Sequence, residues 1–426
     1  MRLLSTRRLL VLLLIVTCRL IYIYYKHKSM AIEPKIPQIL PSNNIKTLLN
    51  QFFTPGITLQ EIQNCWNRLM SAWEKVLMKF LTEGCQHCHH DIYNKCYTSV
   101  DLQHYIFSLN RSFYPYDESI RPNGIGLYYN FNLELMRSGN HSILSTNVNI
   151  CDYFHMIQLL MHVQSILHRL NIEYFITKGT FIGSLRHHDI IPWDADIDFF
   201  ISQSSAFKLK RAFQQMNRFI DSGNGETFAN INENVNLNQK VYSSEPLYQR
   251  DLFVHQFENT RRVTSYKVFS IHSARVEGTY YRWPKIDIFS YQQSRTHVFA
   301  HPRQDHNLGT MKHLAKADIE PYHLRLLGPL LLPSPRHVHP ALKAMIRSKI
   351  SDLFNACEGN QFLHRENRAT TDLWRVPCYT LTSHYPFVKS HYSTSSNLCS
   401  ETVEFKEKTH SLFLYECKED LRRTLD

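Results

Sequence analysis

The sequence predicts a mixed α+β fold, and the order of its apolar patterns supports this class. Apolar residues recur at helical spacing over residues 153–170, which predicts an amphipathic helix. Short runs rich in Ile, Phe and Tyr at 172–177, 196–201 and 285–291 are typical of buried strands. Helical and strand patterns alternate and no internal repeat is visible, so we expect one large α+β domain.

Shorter signals predict the remaining elements of this domain. Lys178-Gly179-Thr180 predicts a turn after the first strand, and residues 181–188 a short helix. The stretch 221–264 is polar and Asn-rich, which indicates an insertion or a loop. We further expect a helix over 204–220, strands over 266–272, 275–282 (with Gly278 as a bulge) and 324–332, and a helix over 341–353.

The N-terminus predicts a retained membrane anchor. Residues 9–25 are apolar apart from Arg19, basic residues flank them, and no small-residue cleavage pattern follows. A cleaved signal peptide is the alternative. We divide the chain into a cytoplasmic tail (1–8), a signal-anchor transmembrane helix (9–25), a stem (26–58), an N-terminal luminal region (59–150), a main domain (151–355) and a C-terminal cap (356–426). In this cap, cysteines lie among Tyr, Ser and Thr, and we expect an ordered but irregular structure.

Two glycosylation sequons and the cysteine content favour a luminal main domain. The sequons are Asn110-Arg-Ser112 and Asn140-His-Ser142. The chain contains 10 cysteines, of which Cys18 lies in the apolar segment; the remaining 9 are an odd number for a fully paired luminal domain, so the cysteines support the lumen only modestly. Together with the anchor, these features predict a single-pass type II protein of the Golgi or endoplasmic reticulum membrane.

Composition and charge restrict the partners. The chain has 43% hydrophobic and 20% charged residues, which are globular values. Its net charge of +11 suits anionic nucleotide substrates or membrane phosphates, although a basic surface without a specific partner is the alternative. No helix-turn-helix, RNP or zinc-finger spacing is present, so we do not expect nucleic acid as a partner.

A cysteine–histidine cluster precedes the main domain. Cys85 and Cys88 are followed by Cys96, with His87, His89 and His90 nearby. These residues could bind zinc, but their spacing fits no standard finger. Disulfide bonds in an oxidising lumen are the other interpretation.

The strongest functional signal lies in residues 174–201. Asp194, Asp196 and Asp198 occupy every second position, so Asp196 and Asp198 point to one face of the predicted strand. Two adjacent like charges beside apolar residues repel and desolvate each other. A divalent metal, Mg²⁺ or Mn²⁺, that carries a phosphorylated substrate would neutralise them.

A further carboxylate is expected from a neighbouring strand. Asp287 lies in the apolar segment Lys285-Ile286-Asp287-Ile288-Phe289, where an isolated acid needs a partner. Two alternatives remain: Asp194 could be only a turn acceptor, and Asp287 could pair with Lys285 or Arg275. We predict Asp196, Asp198, Asp287 and Asp194 as metal ligands, and Asp196, Asp198 and Asp287 also as catalytic residues.

Residues around the predicted turn are candidates for binding phosphate. Backbone N–H groups at Gly179 and Thr180 follow a strand and open a helix, which is a favourable place for an anion. Lys178 and Arg186 could neutralise a diphosphate, and His187 could orient a carboxylate or a phosphate. Alternatively, Lys178 is solvated and Arg186 pairs with a nearby acid.

These residues resemble the signature of the LicD/fukutin family. The family carries a G-T-hydrophobic-hydrophobic-G-x-x-R-H element, then I-P-W-D-x-D-hydrophobic-D and, further on, an I-D-I-F strand. The matching residues are Gly179-Thr180, Gly183, Arg186-His187, Ile191-Pro192-Trp193-Asp194, Asp196, Asp198 and 286–289. Ala195 stands where many relatives have an acid. Because its side chain should face away from Asp194 and Asp196, we expect little effect on metal binding.

The resemblance implies a fold and an activity. It implies a nucleotidyltransferase-type catalytic domain over 151–355, with a central mixed sheet flanked by helices. It also implies a fukutin-related phosphotransferase that moves phosphocholine or a phospho-alditol from a CDP-linked donor to a glycan on protein or lipid. Trp193 would then either stack on the cytosine or anchor the loop.

Two other functions are compatible with the same sequence. The metal site would equally serve nucleotidyl transfer, which competition between CDP and CTP would distinguish. A non-catalytic relative could bind a glycan or scaffold other luminal enzymes. The intact carboxylates argue against this second alternative, since a protein without catalysis has no need for a repelling pair.

Overall fold

The computed structural model describes residues 77–84 (without 79 and 83), 125–128, 148, 150–215, 219–221, 252–258, 264–279, 281–300, 314–345, 355–359, 362–363, 366, 368–369, 374–393, 398–405 and 408–416. The predicted anchor and stem, both sequons and the cluster Cys85, Cys88 and Cys96 lie outside these residues. Among the helices that are described, none is long and apolar enough to cross a membrane.

Strand β1 (Ile125–Tyr128) was not predicted. The elements that follow it agree with the predicted order and are α1 (Ile150–Arg169), β2 (Tyr174–Ile176), α2 (Lys178–Arg186) and β3 (Ile197–Ser202). Helix α1 confirms the helix predicted from apolar periodicity. Helix α2 begins at Lys178, earlier than predicted, because Phe181 N–H donates to the Thr177 carbonyl at 3.1 Å. The expected turn at Lys178-Gly179-Thr180 is therefore the first turn of a helix.

A long central sheet follows. Its further elements are α3 (Gln203–Gln215), β4 (Phe219–Asp221), β5 (Leu252–Glu258), β6 (Thr264–Arg275), β7 (Arg282–Gln293), β8 (His297–Ala300) and β9 (Leu314–Ala315). The described strands run in the order β2-β3-β7-β6-β5-β4, with β8 and β9 attached to β7. The pairs β3–β7 and β4–β5 are parallel and the other pairs antiparallel, which confirms a mixed sheet.

Strand pairing changes three predicted boundaries in this region. The helix predicted to 220 ends at Gln215, because Phe219–Asp221 pairs with β5. Strand β5 itself lies in the stretch interpreted as an insertion or loop. The strand predicted over 275–282 is instead a turn between β6 and β7, with Gly278 at φ +70°, a conformation that favours glycine. The register shift lies earlier, between Phe269 and Ala274.

The strand predicted over 324–332 is a hairpin. After α4 (Lys316–Ile319), strands β10 (His323–Leu327) and β11 (Leu330–Ser334) pair antiparallel, followed by α5 (Val338–Met345). Gly328 between them has φ +58°, and a Cβ there would lie 2.9 Å from the Tyr153 hydroxyl. Both strands are rich in leucine, and the turn signal Gly328-Pro329 between them was overlooked in predicting a single strand.

The C-terminal part is mostly β structure and not the irregular cap that was expected. Its strands are β12 (Ala356–Gly359), β13 (Phe362–Leu363), β14 (Arg368–Ala369), β15 (Trp374–Pro377), β16 (Val388–Ser393), β17 (Leu398–Phe405) and β18 (Lys408–Glu416). A four-stranded sheet has the order β1-β18-β17-β16. The Tyr, Thr and Ser content that suggested irregularity is compatible with strands, since Thr and Tyr favour pleated backbone. A disulfide joins Cys357 and Cys378, and Cys151 is also disulfide-bonded.

The core lies between α1 and the central sheet. Side chains from α1, such as Ile157 and Leu160, are fully buried together with Trp283 and Ile286 of β7. Burial on both faces explains why β3 and β7 read as nearly continuous apolar segments. It also means that any acid on these strands sits at the edge of an apolar core.

Candidate metal centre and donor site

Two parallel strands bring the predicted carboxylates together. Strands β3 and β7 pair with Asp198 directly beside Asp287. Asp196 immediately precedes β3. One oxygen from each of Asp196, Asp198 and Asp287 lies within 4.8 Å of the other two. The sequence could predict this cluster because Asp196 and Asp198 are close in the chain and each acid interrupts an apolar strand.

Hydrogen bonds from α2 and β7 fix the backbone of the aspartate segment. The backbone N–H of Asp198 donates to the Thr180 hydroxyl at 2.7 Å. The Trp283 indole N–H donates to the Ala195 carbonyl at 2.8 Å. Thr180 is 2% exposed, so its hydroxyl holds β3 against α2. The geometry therefore gives this residue a positioning contact in addition to the phosphate contact predicted for its backbone.

Two lysines that sequence reasoning did not select as functional surround Asp287. Lys267 Nζ lies 2.9 Å from Oδ1 and 3.0 Å from Oδ2 of Asp287, and Lys285 Nζ lies 2.8 Å from Oδ2. Lys285 also lies 3.8 Å from Asp196. Lys267 belongs to β6, opposite Asp287 in the sheet register. The pairing of Asp287 with Lys285, which was considered as an alternative, is thus present. The second cation at Asp287 is Lys267 and not Arg275, the other residue considered.

Lys178 reaches the same cluster from the start of α2. Its ammonium lies 3.9 Å from Asp198 Oδ2 and 3.6 Å from the centroid of the Phe289 ring. Its backbone has φ +48°, an uncommon conformation for a residue with a side chain. Strain of this kind clusters at functional sites. The predicted phosphate-binding lysine therefore lies beside the carboxylates.

Burial and neighbouring charges give the acids of this site different pKa values. Burial raises the pKa of Asp198 to about 7, with Lys178 opposing this and Asp196 adding to it. Burial, followed by repulsion from Asp196 and Asp198, raises the pKa of Asp194 well above its usual value. Burial would also raise the pKa of Asp287, but Lys267 and Lys285 outweigh it and hold this pKa below its usual value.

Asp194 lies beside the three-acid cluster without being one of its members. Its Oδ1 accepts the backbone N–H of Ala195 at 2.9 Å, which is the turn-acceptor role considered as an alternative. A Cβ added at Gly179 would lie 2.4 Å from Asp194 Oδ2. Gly179 is thus needed for this close approach, and its predicted phosphate contact stays a prediction.

Arg186, His187 and Trp193 pack toward the C-terminal disulfide. Arg186 Nη1 lies 3.6 Å from Cys357 Sγ, and burial lowers the pKa of Arg186 to about 10. His187 Nδ1 lies 2.7 Å from the Pro386 carbonyl, and burial lowers its pKa to about 3. The Trp193 indole N–H donates to the Glu358 carbonyl at 3.0 Å. Their predicted contacts with the donor stay predictions, while this packing shows how they fix the loop before Asp194.

A buried ion network also fixes the loop between α2 and β3, through His188 and Asp189. His188 Nε2 lies 2.9 Å from Glu401 Oε2, and Arg325 pairs with the same carboxylate. Asp189 Oδ2 accepts the Tyr153 hydroxyl at 2.8 Å. His188 has φ +53°, so the backbone turns sharply between α2 and the aspartates. No short-range signal could reveal the partner Glu401, which lies more than two hundred residues along the chain from His188.

The donor set fits a hard divalent cation. Three carboxylates supply oxygen ligands, as Mg²⁺ and Mn²⁺ require, and leave positions for water and phosphate oxygens. The side chains of Asp196 and Asp287 are 14% and 10% exposed, so the cluster is accessible from one side. Bound there, such an ion would polarise phosphoryl oxygens and neutralise charge on a leaving phosphate.

Metal affinity should depend on pH through Asp198. A carboxyl group must lose its proton to ligate a metal, and the pKa of this group is about 7. Below pH 7, we expect the affinity for Mn²⁺ to fall by roughly tenfold per pH unit. Titration of free Mn²⁺ by electron paramagnetic resonance at pH 6, 7 and 8 measures this. A pH-independent affinity would contradict the assignment of Asp198 as a ligand.

Comparison with known proteins relates the sequence around this site to a known family. Residues 171–245 match the model of the family described as LicD/FKTN/FKRP, nucleotidyltransferase domain. The matched segment contains Gly179, Arg186, Asp194, Asp196 and Asp198, so the resemblance to this family is confirmed. The chain therefore carries a LicD/FKTN/FKRP-type segment within a mixed α+β fold.

Individual relatives are similar over short parts of the chain. The lipopolysaccharide cholinephosphotransferase LicD of Haemophilus influenzae is 33% identical over 85 residues, which is 20% of this chain and 25% of the relative. Uncharacterised proteins of Rickettsia prowazekii and Rickettsia typhi are 35% and 33% identical over 60 residues, 14% of this chain and 23% and 19% of theirs. The chain thus spans a quarter or less of each relative's length.

Proposed function

We propose that this protein is a metal-dependent phosphotransferase that moves a phospho-alditol or phosphocholine group from a CDP-linked donor to a glycan. The observation that carries the proposal is the cluster of Asp196, Asp198 and Asp287 ringed by lysine ammonium groups. Such a site offers both metal ligands and cations for a diphosphate. The relative from Haemophilus influenzae, named as a cholinephosphotransferase, supports the reaction class.

The proposed reaction breaks one P–O bond and forms another. An acceptor hydroxyl attacks the phosphorus that bears the alditol or choline, the bond to the bridging oxygen breaks, and CMP leaves with that electron pair. The hydroxyl proton passes to a carboxylate of the cluster. Because phosphoryl transfer depends mainly on positioning and charge neutralisation, the protein needs few reactive groups of its own.

Each residue has a role in this proposal. Asp196, Asp198 and Asp287 would hold Mg²⁺ or Mn²⁺, with Asp194 as a further ligand available next to them. Lys178 would contact the donor phosphates, since its ammonium already lies at the cluster. The backbone at Gly179 and Thr180 and the side chains of Arg186 and His187 would complete the donor site.

The same protein is proposed to work in the lumen of the Golgi or endoplasmic reticulum as a single-pass type II membrane protein. The disulfide between Cys357 and Cys378 supports an oxidising compartment. Glycans are built and modified there, so the acceptor would be a glycan on protein or lipid.

The donor test is thermal stabilisation of the full-length chain in mild detergent. With Mn²⁺ present, we expect one of CDP-ribitol, CDP-glycerol and CDP-choline to raise the unfolding temperature, and an Asp196→Asn/Asp198→Asn variant to show no such rise. A matching transfer assay follows release of CMP. A shift with CTP alone would instead favour nucleotidyl transfer. No shift with any nucleotide would favour a non-catalytic glycan-binding or scaffolding protein.

A further inference from the structure

Lys267 occupies both oxygens of a carboxylate that the proposed metal also needs. The two contacts, 2.9 and 3.0 Å, place its ammonium symmetrically on Asp287. A divalent ion shared by Asp196, Asp198 and Asp287 must take at least one of these oxygens. Oδ2 already accepts both ammonium groups, so a divalent ion at this carboxylate would bring three cations together and add strong repulsion. One cation must therefore move when the metal binds.

Burial determines which lysine can move. The side chain of Lys285 is 2% exposed, and its ammonium is shared between Asp287 and Asp196. The side chain of Lys267 is 17% exposed and lies on the neighbouring strand, with its ammonium 4.9 Å from the centroid of the Tyr281 ring. A flexible four-carbon chain that borders solvent can turn away, whereas an enclosed one cannot.

Charge balance indicates where the displaced ammonium goes. The three acids of the cluster face the ammonium groups of Lys178, Lys267 and Lys285, so ionised acids and lysines cancel. A divalent ion adds two positive charges to this balanced set. A nucleoside diphosphate brings about the same amount of negative charge to the same place. An ammonium released from Asp287 would find its new acceptor in a phosphate oxygen.

We propose that Lys267 is a donor-binding residue that exchanges Asp287 for a phosphate oxygen of a nucleoside diphosphate when the metal binds. This inference rests on the proposed function and adds a residue to its donor site. The inference assigns Lys267 two opposite effects on affinity. Lys267 lowers the affinity for the metal alone, because it competes for Asp287, and raises the affinity for the nucleotide that binds with the metal. A lysine with a purely structural role would not combine them.

The test measures both affinities in Lys267→Met. The full-length variant should bind Mn²⁺ alone about tenfold more tightly than wild type, and should bind CDP at saturating Mn²⁺ about tenfold more weakly. Electron paramagnetic resonance gives the first value and isothermal titration calorimetry the second. Lys267→Arg, which keeps the charge, should recover part of the CDP affinity.

Lys389→Met is the matched control, because the Lys389 side chain is exposed and pairs with Glu404 at 3.2 Å, on the C-terminal sheet. Both affinities should be unchanged in it. The inference is overturned if Lys267→Met weakens both affinities together or leaves CDP binding unchanged while the wild type binds CDP. If wild-type protein binds Mn²⁺ but no CDP, the proposed function fails as well, and the two failures are thus distinguishable.

Discussion

Replacing Asp198 with Asn is expected to lower transfer by at least about a thousandfold while leaving the protein folded. The loss follows from removing one of three metal ligands beside the reacting phosphate. The fold should survive because burial raises the pKa of Asp198 to about 7, so the folded site already accommodates a neutral group at this position. Asn has nearly the same shape as that neutral acid.

Asp287→Asn should behave differently and serves as the comparison. Lys267 and Lys285 hold the pKa of Asp287 below its usual value, so this acid stays charged in the fold. Removing its charge leaves two largely buried ammonium groups without their principal partner, and we expect a loss of stability of about 3 kcal/mol or more. Activity and unfolding temperature should therefore fall together in Asp287→Asn, but only activity in Asp198→Asn.

Transfer assays, Mn²⁺ titration and thermal unfolding on the same preparations distinguish these outcomes. Lys389→Met, on the C-terminal sheet, controls for handling of variants. If Asp198→Asn kept its Mn²⁺ affinity and activity, Asp198 would not be a ligand and its burial would be structural. If both aspartate variants failed to fold, the cluster would be primarily a folding element.

Local sequence patterns predicted those elements whose own sequence carries a clear signal. Helix α1 was predicted because it is long, and strands β3 and β7 because they are strongly apolar. The hairpin β10–β11 was missed, although Gly328-Pro329 marks the turn between its two Leu-rich strands. Strand β5 lies in a polar stretch, and only its pairing with β6 makes it part of the sheet.

The same distinction explains which site residues were predicted. Asp194, Asp196 and Asp198 stand out in sequence because they alternate with apolar residues, and Asp287 because it is a single acid within an apolar strand. Lys267 does not stand out, because lysine is common and its importance comes from the register that places it opposite Asp287. Charge compensation across strands is a property of the folded sheet, so one sequence cannot reveal it.

The network at Glu401 extends this reasoning to the C-terminal sheet. Glu401 is 4% exposed and accepts both His188 and Arg325. Burial alone would raise its pKa, but Arg325 and His188 outweigh burial and lower it to about 2. The carboxylate is therefore charged in the fold, and it ties the loop before the aspartates to strand β17.

Replacing Glu401 with Ala should destabilise the protein by about 3–5 kcal/mol, because it removes the buried carboxylate that pairs with the Arg325 guanidinium and with His188. Glu404→Ala on the same strand is the matched control. Glu404 pairs with Lys389 at 3.2 Å in an exposed position, so its loss should cost no more than about 1 kcal/mol. Denaturant unfolding of both variants measures the difference.

The contact between Glu401 and His188 should also affect metal binding. Since His188 begins the loop that leads to Asp194 and Asp196, surviving folded Glu401→Ala protein should bind Mn²⁺ more weakly than Glu404→Ala protein. Equal stability losses in the two variants would show that Glu401 is not the central acceptor of its network. If Glu401→Ala lost much stability but kept its Mn²⁺ affinity, the network would stabilise the C-terminal sheet without positioning the carboxylates. Their geometry would then depend on the hydrogen bonds of Thr180 and Trp283.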